Sequence, residues 1–309
     1  MTFKKTTYMQ LKSIIAVLLL GAFATNANAQ QIFKFSQYTQ HNFIMNPAAS
    51  GADDKSSVGA SYRKMWAGID GGPQTTIIYG DKYFSKKKTG VSIVLLDDKT
   101  GPTSRTGGQV GISYSVDMDN GRRLMFGLGG QIMQYKINKA ELLSSSYMDP
   151  TDQALLNAPG SVTKADASAG IYLKTPVYNI GVSVQQLIQS KLGFLKGTNS
   201  NPQGRLYRQF NFMADYTIHT DDEDVLLPNF VVMYQPNSPV DIQTGIRLEH
   251  SKIFWVGADY HFKQSYCLYA GVRIKQCLAI GYAFDQYQTP LSIFENGSSG
   301  NEISLRYSF

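Results

Sequence analysis

The chain has 309 residues, of which 43% are apolar, 12% aromatic and only 17% charged, with 19 tyrosines, 28 glycines and a formal net charge of +6. That mixture excludes intrinsic disorder, and two cysteines and four histidines are too few for a disulfide scaffold, a cysteine-based zinc site or a multi-histidine metal centre. Beyond residue 29 the purely apolar stretches are short, Ile93-Val94-Leu95-Leu96 and Phe230-Val231-Val232-Met233-Tyr234 among them. A membrane-spanning helix needs about 18 consecutive apolar residues, so a helical membrane bundle is excluded and an all-β chain remains.

The first segment sets the compartment. Lys4, Lys5 and Lys12 precede the apolar run Ile14 to Ala24, and small residues then end in Ala27-Asn28-Ala29. A basic stretch, a short apolar stretch and an A-x-A site predict a cleaved signal peptide over 1–29, with cleavage after Ala29. Loss of those three lysines lowers the net charge to +3, which removes the main support for a nucleic-acid partner.

Residues 30–55 do not fit a strand pattern. They carry Phe33, Phe35, Tyr38, Phe43 and Ile44, which need burial, and Pro47 restricts Asn46 and interrupts any strand or helix there. The expectation is an ordered arm packed at or inside the periplasmic mouth of a barrel that spans 56–309.

From about residue 56 the sequence alternates with period 2 between turn residues. Fourteen strands are predicted, near 56–66, 73–84, 89–97, 106–118, 122–136, 163–174, 178–187, 205–219, 225–235, 239–249, 252–262, 265–274, 276–286 and 300–309. Taken singly they fit a sandwich or a membrane barrel equally well. The connections separate the two. Every second one is brief, such as Ser85–Lys88, Asp119–Gly121, Thr175–Val177 and His250–Ser251, while the long ones, 98–105, 137–162, 188–204 and 287–299, all fall on the other side. That parity belongs to a 14-stranded antiparallel outer-membrane β-barrel with both termini periplasmic. Tyr62, Trp66, Tyr79, Tyr83, Tyr114, Tyr172, Tyr216, Tyr234, Tyr260, Tyr282 and Tyr307 are placed on its apolar, lipid-facing side as interfacial girdles. The chain ends on a strand with Phe309 in register, which resembles the signal read by the machinery that inserts such barrels.

The same alternation assigns Arg63, Asp215, Asp241, Arg247, Glu249, Asp259, His261, Arg273, Glu302 and Arg306 to the lumen. Both charge signs are present, so cross-lumen pairing that braces the wall is favoured over a one-sign pore lining. Chemistry is otherwise sparse. His41, His219, His250 and His261 form no metal-ligand spacing and no hydrolase triad motif is recognisable. No catalytic residue, cofactor or metal is expected. Gly127-x-Gly129-Gly130 lies inside a strand and is read as lumen-facing space filling rather than a phosphate loop. Cys267 and Cys277 point inward on successive strands, about seven residues apart along them, too far for a disulfide.

The arm carries a resemblance. Phe35-Ser36-Gln37-Tyr38, then Ile44-Met45-Asn46-Pro47-Ala48 and Gly51, followed by Ser61-Tyr62-Arg63 to Trp66 and Gly72-Pro73-Gln74-Thr75, resemble the PorP/SprF family of type IX secretion system membrane proteins of Bacteroidetes. Ala49 and Ser50 depart slightly from that pattern. In character the chain is similar to the gliding-motility SprF type. The resemblance implies a non-enzymatic outer-membrane barrel that binds, delivers or anchors a secreted surface adhesin through its C-terminal domain. It also implies contact with periplasmic motor-ring lipoproteins or a peptidoglycan-binding lipoprotein. A passive, porin-like channel is the alternative. Long outer loops suit cargo, and the oppositely charged turns Ser85-Lys86-Lys87-Lys88 and Asp221-Asp222-Glu223-Asp224 suit a periplasmic partner.

Overall fold

A computed structural model describes residues 35–144, 149, 151, 153–194, 204–288 and 299–309. Residues 35–236 and 240–309 belong to one compact unit, and Asn237–Pro239 falls outside it. The signal-peptide expectation, with Ala29, lies outside the described residues, as do Phe33 and parts of the loops 137–162, 188–204 and 287–299.

Period-2 segments separated by turn residues must pair edge to edge, and here the pairing closes on itself. In chain order the strands are β1 Ser57–Lys64, β2 Gln74–Phe84, β3 Thr89–Thr100, β4 Thr103–Met118, β5 Arg122–Ile137, β6 Ser161–Lys174 and β7 Tyr178–Gln185. They continue with β8 Gln209–Tyr216, extended after Thr217 by Ile218–His219, then β9 Asp224–Tyr234 and β10 Asp241–His250. The last four are β11 Phe254–His261, β12 Ser265–Ile274, β13 Leu278–Tyr287 and β14 Gly300–Ser308. Each is antiparallel to its neighbours, and β14 returns to β1 in a register running from Ser57 opposite Ser308 to Lys64 opposite Asn301. The result is a closed fourteen-stranded barrel with no free edge to template aggregation.

Alternation sorts the side chains as expected over much of the wall. Outside lie Ile93, Leu95, Ile112, Phe126, Leu128, Ile132, Val182, Leu268, Ile303 and Leu305, all exposed, an apolar band of the kind that faces lipid. Aromatic rings collect at both its ends. Phe84, Tyr114, Tyr216, Phe254, Tyr307 and Phe309 stand near the rim with the short turns, and Tyr62, Phe210, Tyr234, Tyr266 and Phe262 near the other. Two stacked pairs, Phe210 with Tyr234 at 6.1 Å and Tyr260 with Tyr266 at 5.1 Å, reinforce the second ring.

Three expectations need correction. Residues 98–105 are not a long loop, because β3 and β4 continue pairing to Thr100 opposite Thr103 and turn on Gly101-Pro102. Tyr79 and Tyr172 do not face lipid but are buried inside the barrel at 3% exposure each, and Tyr83 also turns inward, where its hydroxyl meets Ser115 at 2.6 Å. The reason is that the lumen of this half of the barrel is filled. The ion pairs of Arg63, Arg247, Arg273 and Arg306 do not cross the lumen as expected; they run within one strand, between strands one or two places apart in the sheet, or from strand to arm.

The two cysteines are free: Cys267 is buried on β12 opposite Asp285, and Cys277 sits in the turn before β13. The long-loop side carries two short helices, α1 Lys139–Leu143 and α2 Gln153–Asn157.

The lipid-facing reading of the band is testable at Leu128, which is 64% exposed in the middle of β5. Leu128→Arg is expected to make folding into phospholipid bilayers less favourable by about 2–4 kcal/mol, measured by denaturant titration, with barrel formation followed by heat-modifiable gel mobility.

Candidate functional site

The lumen holds the arm. Between Phe35 and Ser56 the chain runs through three single turns of 3-10 helix, Tyr38–Gln40, Asn42–Ile44 and Pro47–Ala49. Such short turns leave carbonyls without partners inside the chain, and the wall supplies donors for them. Gln109 and Gln185 donate to the Ile44 carbonyl at 3.2 and 2.8 Å. Ser183 and Asn211 donate to that of Met45 at 2.7 and 3.1 Å, and Ser113 to that of Ser50 at 2.6 Å.

Each residue of the family-like motif has a physical task in this packing. Phe35 lies edge-on to His41 at 5.0 Å between centroids, and both rings are buried. The Ser36 and Gln37 amides donate to Glu302 at 2.6 and 3.2 Å, and the Ser36 hydroxyl reaches Asp285 at 3.0 Å. Tyr38 donates its hydroxyl proton to Asn229 at 3.1 Å. Asn46 caps the third turn, its Oδ1 accepting from the Ala48 amide at 3.0 Å, while its Nδ2 donates to the Ile171 and Val182 carbonyls at 3.1 and 3.3 Å. Pro47 occupies the first position of that turn, where no amide is needed. Gly51 has a φ of +67°, and its amide donates to Asp81 at 2.7 Å.

The arm approaches the wall so closely that only glycine fits beneath it. A Cβ on Gly127 would lie 2.2 Å from the Ala48 nitrogen, and one on Gly170 would lie 2.0 Å from Asn46 Oδ1. Gly127 and Gly129 of β5 are thus the seat of the arm, a more specific role than filling space, whereas Gly130 is exposed with nothing within 4 Å and does not share it.

The buried charges form a cluster at the barrel seam. Arg63 on β1 sits between Asp285 of β13 at 2.9 Å and Glu302 of β14 at 3.0 Å, all three at 1% side-chain exposure or less, and also donates to the Ser36 hydroxyl. A second group lies toward the short-turn rim. Glu249 accepts from Arg247 at 3.2 Å and from Arg273, whose guanidinium stands 5.7 Å over the Trp255 ring. Arg306 donates to the Gln40 carbonyl at 3.0 Å and pairs with Asp53 of the arm. Asp259 accepts from Gln243 at 2.8 Å and from Tyr269 at 3.3 Å, and Asp215 from Asn179 at 2.7 Å. Asp241 and His261 are buried on the lumen side as well. The neutral donors Gln109, Ser183, Gln185, Asn211 and Gln243, together with Asp81 and Asp285, were not singled out by sequence reasoning. Their inward parity was the available signal. Among the described residues no three His, Cys, Asp or Glu side chains gather as metal ligands.

The sequence profile of the family described as type IX secretion system membrane protein PorP/SprF matches residues 27–307. No curated protein is significantly similar to the chain in sequence. Among solved structures it resembles the CymD monoaromatic hydrocarbon channel, at 11% identity and a TM-score of 0.52 over 91% of this chain and 95% of that one. It also resembles the toluene transporter TodX of P. putida, at 10% identity and a TM-score of 0.50 over 85% of this chain and 92% of that one. Omp33 of Acinetobacter baumannii aligns at 9% identity and a TM-score of 0.48, over 82% of this chain and 98% of that one. For the first two of these, at such identities, the likeness is one of fold.

Two expectations follow from the buried groups. Arg63→Met leaves Asp285 and Glu302 buried side by side without a cation and is expected to cost about 3–5 kcal/mol of unfolding free energy; adding Glu302→Gln is expected to recover part of that loss in the same denaturant titration. Burial, and after it the charge of Arg306, pushes the His41 imidazole down to about 3, so the docked arm holds a neutral ring that a released arm would protonate near its ordinary value. Docking is then at full strength above that ordinary value, about 6.5, and weakens as pH falls toward about 3, by about 2 kcal/mol at about pH 5. Limited proteolysis between Phe35 and Asp54 is expected to run faster at about pH 5 than at about pH 7.5, and His41→Phe is expected to flatten the difference.

Proposed function

The chain belongs to the PorP/SprF family of type IX secretion system membrane proteins, and from that premise we propose that it binds, delivers or anchors a secreted surface adhesin through the adhesin's C-terminal domain, without covalent chemistry. The family match over residues 27–307 carries this reading. It is an outer-membrane barrel, and in this reading the rim with the short turns and both chain ends faces the periplasm while the long connections face the cell exterior.

The arrangement of the lumen supports a contact role. With the arm seated across the interior, what remains for a protein partner is the two rims. On the long-loop side β4 and β5 run to sixteen residues each, longer than the 9–11 a tilted strand needs to cross a bilayer. This gives the outer rim a raised wall beside the connections that hold α1 and α2. A seated arm also weighs against free conduction, and the names of the channel relatives say nothing about this chain beyond its fold. Periplasmic motor-ring lipoproteins or a peptidoglycan-binding lipoprotein are the partners proposed for the opposite rim. A place in gliding motility of the SprF type, in a Bacteroidetes cell, completes the reading.

Affinity capture of the detergent-solubilised barrel from its own cells is expected to recover a large secreted adhesin or its C-terminal domain. Capture of the barrel alone, together with normal adhesin display in a deletion strain, would overturn the assignment.

A further inference from the structure

At the short-turn rim the lumen opens into a cavity of about 480 Å³ whose floor is the arm, through Thr39, Gln40 and Asp53, and whose sides are strand ends and turns. Six basic side chains line it, Lys55, Lys174, Arg247, Lys252, Arg273 and Arg306, against two carboxylates, Asp53 and Asp54. Local pairing neutralises only part of this charge. Arg306 is held by Asp53, Arg247 and Arg273 share Glu249, and Lys174 reaches Asp54 at 3.6 Å. Lys55 and Lys252 are exposed, and among the described residues neither has a carboxylate within ion-pair distance.

A second observation points the same way. The Nε–H groups of Arg247 and Arg306 and the indole N–H of Trp255 are buried on the cavity wall with no acceptor among the described residues, and Trp255 is only 2% exposed. Buried donors are normally satisfied, and three unsatisfied ones in the wall behind a cationic hollow leave this side of the lumen short of acceptors, so its local field favours a negatively charged guest.

We propose that this cavity is a binding site for an acidic peptide segment of a partner protein, whose carboxylates enter from the short-turn rim. The cations stand on several sides of the hollow, from the arm and the end of β6 to the strands β10, β12 and β14 and the turn after β10, so they match several spaced carboxylates better than one small anion. The volume lies in the range of sites that enclose a ligand, and Trp255 and Ala279 add an apolar ledge for side-chain stems. Lipid headgroups are kept away because these groups face the inside of a closed wall. The acidic turn Asp221 to Asp224 on the same rim, two of whose carboxylates pair with His250, offers an anion no comparable surface. The site is independent of what the opposite rim holds.

The test uses the mature chain in a zwitterionic detergent and a fluorescein-labelled peptide of alternating Glu and Gly, with its Gln counterpart, read by fluorescence anisotropy. The Glu peptide is expected to bind, more weakly as salt rises, and the Gln peptide not to bind. Lys55→Glu with Lys252→Glu is expected to weaken binding on the order of tenfold or more, with unchanged heat-modifiable gel mobility, and the milder Lys55→Gln with Lys252→Gln to fall between. Lys86→Glu with Lys87→Glu, on a neighbouring exposed turn of the same rim, is expected to leave binding unchanged. Equal binding of the two peptides, an equal loss in the Lys86 and Lys87 variant, or a need for anionic vesicles would overturn the proposal. Full displacement by inorganic phosphate at the peptide's own concentration would also overturn it, since it would identify a small-anion site.

Discussion

Arg63 joins three things that would otherwise be separate. Its guanidinium lies between Asp285 and Glu302, so it spans the seam where β14 meets β1 and the barrel closes. One cation against two carboxylates is an unbalanced cluster to bury. The balance comes from the arm, whose Ser36 and Gln37 amides and Ser36 hydroxyl donate to those same two carboxylates. Closing the wall and seating the arm are therefore coupled: the carboxylates that brace the seam are short of donors until Ser36 arrives, and the arm's polar backbone has nowhere else inside the membrane to be satisfied.

That coupling explains the composition of the wall. Where β10 to β14 line the second charge cluster, the lumen side is mostly polar, apart from a small buried group of Trp255, Cys267, Tyr269 and Ala283, and the alternation is clean. Where the wall faces Phe43, Ile44, Ala48 and Ala49, it presents Ile77, Tyr79, Val94, Leu96, Met125, Tyr172, Met213, Val231 and Met233, all buried in one core with the arm. These strands are apolar on both faces, toward lipid and toward the arm. The runs Ile93 to Leu96 and Phe230 to Tyr234 are therefore signatures of a filled lumen as much as of a membrane wall.

This is also where the sequence was hard to read. The fourteen strands were legible because lipid on one face enforces a period of 2 that survives any lumen content. The inward positions of Arg63, Glu302 and Arg306 were legible because a charge has no place on the lipid face. Tyr79, Tyr83 and Tyr172 were misplaced because an aromatic ring satisfies either side once the lumen is apolar, and parity alone would have corrected them. The extension of β3 and β4 past residue 97 was missed because Asp97, Asp98 and Arg105 look like loop residues, although Asp98 pairs with Arg105 at 3.0 Å across the ladder. The seating of Asn46 and Pro47 over Gly127 and Gly170 had no pattern to reveal it, since backbone-to-backbone approach between distant segments leaves only unexplained glycines.

A barrel with its own chain packed in the lumen has little chemistry left inside, and its remaining recognition surface is at the ends. The two ends are unlike. One rises on sixteen-residue strands, and the other is trimmed to tight turns around an open, cationic hollow floored by the arm. Because Arg306 binds both the Gln40 carbonyl and Asp53, a guest that competed for that guanidinium would act directly on the arm's docking. The arm in turn reaches the wall strands β4, β6, β7 and β8 through Asn46 and the Ile44 and Met45 carbonyls. The packed arm thus ties the short-turn rim to four strands of the wall through direct hydrogen bonds.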